Sequence, residues 1–556
     1  MLERLLNPHG VAIIGASQDP TKLGYGAARN LVVSGYQGAI NLVNPGGGEL
    51  FGLPMYPSPA EVPDPVDLAV ILVPAPVVPG VLKECGQRGF GAAIIGAGGF
   101  REKGEEGAQL EAECLRIAEQ FGMRVLGPNC IGFLDTHLPI DTSFLPLPGP
   151  IPGDITFLSH SGAICEAVID WARGQGFGLA RLVSLGNQMD LTETDLLAAS
   201  VEDEDAQVIA MYLEGVSDGR AFVEQAMKAV EQKPVVAIKV GRSERGSEAV
   251  ASHTGALAGE DEAYSAAFRR AGVMRAKTSE EMFDWARALA WAPLPAGRRV
   301  AILTNAGGPG AIAVDALEDC RLQVADLADQ TKRSLQELLP AEASLDNPVD
   351  MLASAGPSEY ARCLALLLKD DGVDSVMIIL PPPPMASAAD VAGALLPVIR
   401  AADKPVVLAL MGEELIAHAA QLFRGAKVPE YRFPERAASA LKALSDRAEQ
   451  VQRSDFHTVA FPEVEVGEAR SMLSSAPVGP DGFIGAAEVA ELIRLYGLPL
   501  PEQATAESMD SAAAAAGRIG YPVAIKVAAR EVVHKSDIGG VALDIGSEHE
   551  LRQEYT

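Results

Sequence analysis

Basic residues are scarce in this chain. Its 556 residues include 45 Lys and Arg against 74 Asp and Glu, which gives a formal net charge of −29. A surface this acidic disfavours nucleic acid and anionic membranes as partners, because both carry negative charge themselves. An anionic small ligand would have to be held by local devices such as helix N-termini.

Cysteine pairs and long apolar runs are also missing. The six cysteines occur singly, without a C-x-x-C motif, and no apolar run reaches 18 residues. We therefore expect reduced thiols that fill a core, with neither disulfides nor a metal site. Met1–Arg4 leads directly into a sequence pattern typical of secondary structure, so no signal peptide is predicted. Because no apolar run is long enough, no membrane span is predicted either. A cytoplasmic protein is expected.

Short apolar, β-branched runs do recur along the whole chain, and they alternate with Ala- and Leu-rich stretches. Strands buried on both faces and joined by helices form parallel sheets, so this pattern predicts an α/β fold of doubly wound domains. The predicted strands are Val11–Ile14, Leu68–Val73, Ala92–Ile95, Ile155–Leu158, Val208–Leu213, Val235–Val240, Val300–Leu303, Val376–Leu380 and Val406–Leu410.

The middle of the chain contains a duplication. Three short segments recur in the same order further along, which is hard to obtain by chance and predicts two similar domains. The matched segments are Ile155–Gly162 with Val300–Gly307, Ser184–Asp190 with Ser344–Asp350, and Lys233–Gly241 with Lys404–Gly412. The predicted domains span 1–140, 150–292, 296–450 and 483–556, and 451–482 is predicted to be a linker.

The last predicted domain contains a helix (Ala486–Tyr496) and a hairpin of Pro522–Val527 with Val541–Ile545. Ser547 and Glu550 then form a capping box, which should open another helix. The chain stops six residues after Glu550. We therefore expect the polypeptide to end inside a domain.

One histidine stands in an unusual setting. His253 lies in the Gly- and Ser-rich segment Gly241–Gly259, which has no apolar period, before a helix predicted to open at Glu260–Glu262. Imidazole can act as a nucleophile, so a histidine on a mobile loop can carry a reactive group between separated sites. The alternative is that it only caps the following helix. The second copy has only His418, in an Ala-rich helix, which we interpret as structural.

The N-terminal domain has a nucleotide-binding pattern that does not fit NAD. The strand Val11–Ile14 runs into the turn Gly15–Ser17, which suits a phosphate. The next strand ends in Asn44-Pro45, where an NAD site would want an acidic residue for the ribose. Gly- and Pro-rich clusters follow the later strands at Val73–Ala75, Gly96–Phe100 and Gly127–Gly132. Their coincidence at one sheet edge favours a phosphate-bearing ligand with a long arm.

The duplicated segments predict an anion site. Ser159, Ser161 and Gly162 end one strand and begin a helix, and Asn305, Gly307 and Gly308 do the same in the second copy. If the copies face each other about a pseudo-twofold axis, two helix N-termini converge and can hold a phosphoryl group without Lys or Arg. Glu214, which ends a predicted strand, could accept the second ring N–H of His253. The alternative for Glu214 is a solvated strand end.

These motifs together resemble the NDP-forming acyl-CoA synthetase superfamily, which includes ADP-forming acetyl-CoA synthetase and is related to succinyl-CoA synthetase. The resemblance covers essentially the whole chain. It is carried by Gly15–Ser17, Val73–Ala75, Gly127–Cys130, Ser159–Gly162, Tyr212–Gly215, Ser252–Ala256 and Asn305–Gly308. The segments Gly520–Lys526 and His534–Gly540 resemble the opening of an ATP-grasp domain.

The resemblance implies a Rossmann-like CoA-binding domain, two flavodoxin-like domains and an incomplete ATP-grasp domain. It makes His253 the phosphorylated histidine, Glu214 its hydrogen-bond partner and His534 a second phosphate-relay histidine. Lys526 would contact nucleotide phosphate, and the two helix starts would seat phosphate. The implied CoA site comprises Gly15, Ala16, Ser17, Lys22, Asn44, Pro45, Val73, Pro74, Gly98 and Asn129.

The chain departs from the family pattern at several places. A lysine usually follows Asn44-Pro45, but here Gly46–Gly48 does, which puts one phosphate contact in doubt. Ser-His-Ser-Gly replaces the usual Ser-Gln-Ser-Gly at Ser159–Gly162. Most of the ATP-grasp domain, including its adenine pocket and magnesium carboxylates, is not in the sequence. Either the remainder is truncated or another chain supplies it, and ATP turnover is expected only when the domain is complete.

The implied activity is ligation of a small carboxylic acid to CoA with ATP (or GTP) and Mg²⁺, through an acyl phosphate and a phosphohistidine. A homodimer or higher oligomer is expected. Two alternatives stay open at this point, a protein-lysine acyltransferase on the same scaffold and a non-enzymatic acyl-CoA-binding regulator.

Overall fold

The computed structural model describes residues 2–254, 261–452, 464–479, 482–528 and 539–555. The chain forms two compact units, Met1–Asp455 and Phe456–Thr556. Within the described residues, no helix is long and apolar enough to cross a membrane.

The first sheet has seven strands in the order β3-β4-β2-β1-β5-β6-β7, and only β3 and β4 pair antiparallel. The three strands β1, β5 and β6 are buried along their whole length, as the apolar runs predict. The strands are β1 (Gly10–Ile14), β2 (Ala39–Val43), β3 (Glu49–Leu50), β4 (Leu53–Tyr56), β5 (Leu68–Ile71), β6 (Ala92–Ile95) and β7 (Arg124–Leu126). The helices are α1 (Glu3–Leu6), α2 (Leu23–Ser34), α3 (Val78–Arg88) and α4 (Glu105–Phe121).

The second sheet also has seven strands, in the order β14-β13-β12-β10-β11-β8-β9. Its strands are β8 (Phe133–Asp135), β9 (Ile140–Asp141), β10 (Pro152–Ser159), β11 (Leu179–Ser184), β12 (Val208–Leu213), β13 (Val235–Lys239) and β14 (Met274–Arg275). Its helices are α5 (Gly162–Gln175), α6 (Glu193–Val201), α7 (Gly219–Gln232), α8 (Glu244–Thr254), α9 (Asp261–Ala271) and α10 (Ser279–Trp291).

The strands β8 and β9 join the second sheet, although residues up to 140 were predicted to belong to the first domain. β8 pairs antiparallel with the outer edge of β11, with Asp135 opposite Arg181. The Arg181 guanidinium binds the Asp135 carboxylate at 2.7 Å. An otherwise unpaired strand edge and this ion pair explain why the segment crosses between sheets.

The third sheet runs β16-β15-β18-β19-β20, with β17 also pairing β15. Its strands are β15 (Arg299–Thr304), β16 (Gln323–Val324), β17 (Val349–Asp350), β18 (Ser375–Leu380), β19 (Val406–Leu410) and β20 (Glu430–Tyr431). Its helices are α11 (Gly307–Asp319), α12 (Asp329–Gln336), α13 (Pro357–Leu368), α14 (Ala388–Arg400), α15 (Ala417–Gly425) and α16 (Pro434–Gln452).

The two copies have the same core topology. The matched sequence segments contain β10 and β13 in one copy and β15 and β19 in the other, and each pair flanks one parallel strand, β12 or β18. The helices α5 and α11 follow the matched strands β10 and β15. This equivalence supports the duplication deduced from the sequence.

The two copies pack against each other through one continuous apolar core to which α5, α10, α11 and α16 all contribute. Polar contacts hold the same interface. Trp285 Nε1 donates to Ser439 Oγ at 2.8 Å, and Tyr431 OH donates to the Asp284 carbonyl at 2.7 Å. The buried Asp284 also accepts two hydrogen bonds from Arg436. The copies therefore form one body.

The second unit contains α17 (Val466–Ser475), α18 (Ala486–Leu495), α19 (Met509–Ile519), β21 (Val523–Lys526), β22 (Val541–Ile545) and α20 (Glu548–Glu554). The predicted hairpin is present, since β21 and β22 pair antiparallel. Ser547 Oγ accepts from Glu550 N at 3.3 Å, so the predicted cap is present as well. The predicted linker 451–482 includes the helix α17, whose polar sequence has little apolar period and buries only Ala469.

Candidate functional site

The turn after β1 closes tightly over the start of α2. Gly15 has φ of 95°, and Asn44 Nδ2 donates to the Ala16 carbonyl at 2.7 Å. Asn44 Oδ1 in turn accepts from Gly46 N at 2.8 Å. The structure thus brings together the predicted Gly15, Ala16 and Asn44, with the exposed Pro45 beside them.

The remaining predicted CoA residues lie around this turn and along the same sheet edge. Ser17 Oγ accepts from Asp19 N at 3.1 Å, and Lys22 is the exposed N-cap of α2. A Cβ on Gly15 would lie 3.1 Å from Val73 Cγ1, next to the exposed Pro74. The carboxyl edge of the first sheet therefore carries turns from neighbouring strands, as predicted.

Gly98 and Asn129 face each other across the edge of the first sheet. A Cβ on Gly98 would lie 3.2 Å from Asn129 Oδ1, so glycine keeps this gap open. Asn129 has φ of 58°, a left-handed conformation that asparagine tolerates better than most residues. Its side-chain Nδ2 donates to Asn187 Oδ1 at 3.3 Å.

A polar network then joins the first sheet to the second. Asn187, which follows β11, donates to Glu102 Oε2 at 2.7 Å and to Glu111 Oε2 at 3.0 Å. Burial raises the pKa of Glu102, but hydrogen bonds from Asn187 and from the backbone N–H groups of Gly99 and Phe100 outweigh it and hold that pKa below its usual value. Arg101 also donates to the Asn187 carbonyl. The two carboxyl edges therefore meet at this network.

Replacing Asn187 with leucine is expected to lower the free energy of unfolding by about 2 kcal/mol, since it leaves two carboxylates without their shared donor. Because the folded-state pKa of Glu102 lies below its usual value, its contribution to stability is present above the usual pKa and is lost as the pH falls through the folded-state pKa. The variant should lose part of this acid dependence. Denaturant unfolding at a series of pH values from about 3 to about 7 measures both the loss of stability and its dependence on pH.

Asn7→Ala provides the control for this prediction, because Asn7 makes an exposed hydrogen bond to Glu3 at 2.8 Å. It should change stability by no more than about 0.5 kcal/mol. Equal stability of the two variants would mean that the Asn187 bonds do not hold the domains together.

The two duplicated helix starts have the same backbone turn. Ser159 Oγ donates to the Ser161 carbonyl at 2.9 Å and accepts from Ser161 N at 3.1 Å. Thr304 Oγ1 makes the same pair of bonds with Ala306, at 3.0 and 3.1 Å. The hydroxyl that ends each strand thus shapes the turn, and the amide-rich N-terminus of α5 or α11 follows it.

The predicted phosphate residues lie on these two turns. Ser161 Oγ caps α5 by accepting from Ile164 N at 3.5 Å, and a Cβ on Gly162 would lie 3.0 Å from Ile131 Cγ2. In the second copy Asn305 is buried, and Gly307 lies beside the Asp350 carboxylate. Gly308 follows in the first turn of α11 with open space around it.

Glu214 is buried, at 7% exposure, so the alternative of a solvated strand end is wrong. Strand β12 ends one residue earlier, at Leu213. The Glu214 backbone N–H donates to His160 Nδ1 at 3.1 Å, and His160 Nε2 lies 3.4 Å from Glu193 Oε2. The neutral ring must therefore carry its proton on Nε2. A histidine within the first helix-start motif thus holds the strand end that carries Glu214.

His253 lies in the helix α8, not in an irregular loop as predicted. Residues such as Glu244, Arg245 and Ala249 are good helix formers, and Gly246 N donates to Ser243 Oγ at 3.1 Å at the helix start. The backbone of α8 lies near the turn Arg101–Lys103 of the first domain. Residues 255–260 lie outside the described residues, and so does the predicted hydrogen bond from the His253 side chain to Glu214.

In the second unit, Lys526 is the exposed last residue of β21, opposite Val541. His534 lies outside the described residues. Among the described residues, no group of three or more His, Cys, Asp or Glu could hold a metal ion. Of the cysteines, all but the half-buried Cys320 are buried, in keeping with core thiols.

Sequence reasoning missed three residues at this edge. Asn187 and Lys239 were only landmarks of the duplication, and His160 was noted only as a departure from the family pattern. A usable signal was present, since a histidine or a lysine at the end of a buried strand is seldom there without a partner.

Four family models match the chain in succession. They are a CoA binding domain at 9–136, a succinyl-CoA ligase like flavodoxin domain at 152–289, a Ligase-CoA domain at 300–451 and an ATP-grasp domain at 475–556. The predicted fold class and the predicted family are confirmed.

Full-length relatives agree with these matches. Acetate–CoA ligase [ADP-forming] I of Archaeoglobus fulgidus is 38% identical over 554 residues, which is 100% of this chain and 79% of the relative. The alpha subunit of acetate–CoA ligase [ADP-forming] II of Pyrococcus furiosus is 40% identical over 81% of this chain and 99% of its own length.

A solved structure shows the same similarity. The dinucleotide forming acetyl-coenzyme A synthetase 1 of Ca. Korarchaeum cryptofilum, in complex with phosphate and ADP, superposes with a TM-score of 0.78 at 36% identity. The match covers 82% of this chain and 99% of that one. The chain therefore belongs to the NDP-forming acyl-CoA synthetase superfamily.

Proposed function

We propose that this protein ligates a small carboxylic acid to CoA, with ATP converted to ADP and phosphate, in a reversible reaction. The observation that carries the proposal is the 38% identity to an ADP-forming acetate–CoA ligase over 554 residues. The match runs through the CoA-binding, duplicated and ATP-grasp regions alike. Neither an acyltransferase nor a regulator that only binds acyl-CoA finds support among the relatives.

In the direction of acyl-CoA synthesis, a ring nitrogen of His534 attacks the γ-phosphorus of ATP and ADP leaves, and a ring nitrogen of His253 takes the phosphoryl group from His534, which frees the His534 ring. The phosphoryl group then passes from His253 to a carboxylate oxygen of the acid, which forms an acyl phosphate and frees the ring. The CoA thiolate attacks the acyl carbonyl carbon, the C–O bond to phosphate breaks, and acyl-CoA and phosphate result. Each step conserves atoms and charge and runs in reverse from acyl-CoA and phosphate.

The duplicated helix starts would bind the phosphoryl group during these steps. Their exposed N–H groups and helix dipoles attract an anion without any basic side chain, which suits a chain of net charge −29. The residues concerned are Ser159, Ser161, Gly162, Asn305, Gly307 and Gly308. The shared turn geometry at Ser159 and Thr304 supports a common role for the two helices.

CoA would lie along the carboxyl edge of the first sheet. The turn at Gly15–Ser17, with Lys22, Asn44 and Pro45, would take the nucleotide phosphates. Val73, Pro74, Gly98 and Asn129 line the route from there toward the second sheet. The network at Asn187 supports this path, because it brings the edges of the two sheets together.

In the second unit, Lys526 would contact the nucleotide phosphate and His534 would act as the second relay histidine. The described residues do not include a carboxylate cluster that fits Mg²⁺. Glu214 would orient the ring of His253 and stabilise its positive charge. The homodimer and the cytoplasmic location expected from the sequence stay predictions.

Incubation with acetyl-CoA and radiolabelled phosphate tests the proposal without any need for ATP. We expect the protein to take up acid-labile, base-stable phosphate, as a phosphohistidine does. Omission of acetyl-CoA is the control and should prevent labelling. Propionyl-CoA and phenylacetyl-CoA extend the test to other acids. If the protein binds all three thioesters yet none supports labelling, the ligase proposal fails.

A further inference from the structure

A fully buried lysine ends a strand at the carboxyl edge of the second sheet. Lys239 is 1% exposed and is the last residue of β13. Its register partner in β12 is Leu213, the residue before Glu214, and Val240 N donates to the Leu213 carbonyl at 3.1 Å. Lys239 and Glu214 therefore come from adjacent strand ends. Burial of a lysine is costly, so the position calls for an explanation.

The surroundings of the Lys239 ammonium are mixed. It donates to the Val240 carbonyl and lies 4.5 Å from the centre of the Tyr264 ring, a cation–π contact. Burial lowers its pKa below the usual value, the carboxylates of Asp261 and Glu214 oppose that shift, and Arg275 adds to it. The ammonium of Lys239 therefore lies among opposing charges from Asp261, Arg275 and Glu214.

Tyr264 connects the lysine to both flanks of the His253 segment. The Tyr264 hydroxyl accepts from Val216 N at 3.1 Å, two residues beyond Glu214. Tyr264 lies in the first turns of α9, the helix that follows the His253 segment in the chain. Arg275 binds Asp261 at the start of the same helix. Lys239 therefore contacts a tyrosine that joins the chain just after Glu214 to the first turns of α9.

We propose that Lys239 is a positioning residue for phosphoryl transfer, whose buried positive charge holds Glu214 in place and offsets the negative charge of the arriving phosphoryl group. A phosphoryl group brings roughly two negative charges to a site that already holds a carboxylate. Inside a protein, a nearby cation offsets that repulsion far better than water does. This inference rests on the proposed function, because it assumes that His253 is phosphorylated.

Lys239→Met tests the inference, since methionine fills similar space without a charge. We expect the rate of labelling from acetyl-CoA and phosphate to fall about tenfold or more. The loss should appear in the maximal rate of labelling rather than in the acetyl-CoA concentration that gives half of that rate, because the cation acts on the phosphoryl group and not on thioester binding. The melting temperature should hold or rise, since a costly buried charge is removed. Lys239→Arg, which retains the charge, should recover part of the rate.

Lys233→Met is the matched control. Lys233 lies just before the other end of β13, is partly buried and donates to the carbonyls of Ser200 and Asp203. Its burial also lowers its pKa. It is remote from Glu214, so its variant should keep the wild-type maximal rate of labelling.

The outcomes separate the two proposals. Absence of label on the wild-type protein would overturn the proposed function itself. Wild-type labelling with a Lys239→Met protein that matches it in maximal rate, or that loses rate only through weaker acetyl-CoA binding, would overturn the role of Lys239. A melting temperature that falls together with activity, in the Met and Arg variants alike, would also overturn it by assigning a structural role. If the methionine variant does not fold, Lys239→Gln is measured against the same criteria.

Discussion

The His253→Ala variant is expected to take up no phosphate from acetyl-CoA and labelled phosphate, a loss of at least about a thousandfold in rate. Without the imidazole ring, position 253 has no nitrogen nucleophile to form the covalent bond to phosphorus. The place of His253 in α8 supports its proposed role, because the backbone of α8 lies near the turn Arg101–Lys103, where the edges of the first two sheets meet. Quantification of acid-labile label on the purified protein measures the effect.

His418→Ala is the control for this prediction. His418 lies exposed in the Ala-rich helix α15 of the second copy, and we interpret it as a structural residue. Its variant should label at the wild-type rate. If His253→Ala kept its label while His418→Ala lost it, the duplicated domains would have exchanged roles and the assignment of His253 would be wrong.

The Gly24→Ala variant is expected to destabilise the CoA-binding domain by about 3 kcal/mol. A Cβ at this position would lie 2.0 Å from the Gly15 carbonyl oxygen and 3.0 Å from Ala16 Cα. Both atoms are backbone of the turn after β1, so they cannot move aside without opening the predicted phosphate site. We therefore expect CoA to bind more weakly. Each loss of about 1.4 kcal/mol in binding free energy raises the Kd for CoA tenfold.

Gly80→Ala provides the matched control, because Gly80 is also a helical glycine of this domain but a Cβ there would meet open space. It should raise stability slightly, by about 0.5 to 1 kcal/mol. Thermal unfolding and calorimetric titration with CoA measure both variants. Equal stability and CoA affinity for the two alanine variants would show that α2 does not press against the turn at Gly15.

Much of the architecture was predictable because it depends on local pattern. The buried strands are short apolar runs, and the duplication is visible because its landmarks are strand ends with turn residues whose backbone roles tolerate little change. Ser547 and Glu550 predicted a helix start for the same local reason. Glu214 was placed at the correct strand end to within one residue.

Other features required the folded chain. The helix α8 was missed because its apolar positions have no period, while its helix formers and the cap at Ser243 act without one. The strands β8 and β9 were not predicted, and the predicted boundary at residue 140 placed β8 in the first domain, because its partner strand β11 is more than 40 residues away in the chain. The burial of Glu214 was also undecided, because a strand end has no alternation that would reveal what covers it.

The sequence by itself determined the fold class, the duplication and the family, because each depends on residue type and spacing along the chain, and it predicted which residues react. Only the tertiary structure decided how these residues are supported. The ring of His160 holds the backbone of Glu214, Asn187 joins two sheet edges, and Lys239 is buried beside Tyr264. Such contacts join residues far apart in the chain, and charge or burial at one of them depends on partners that no local pattern specifies.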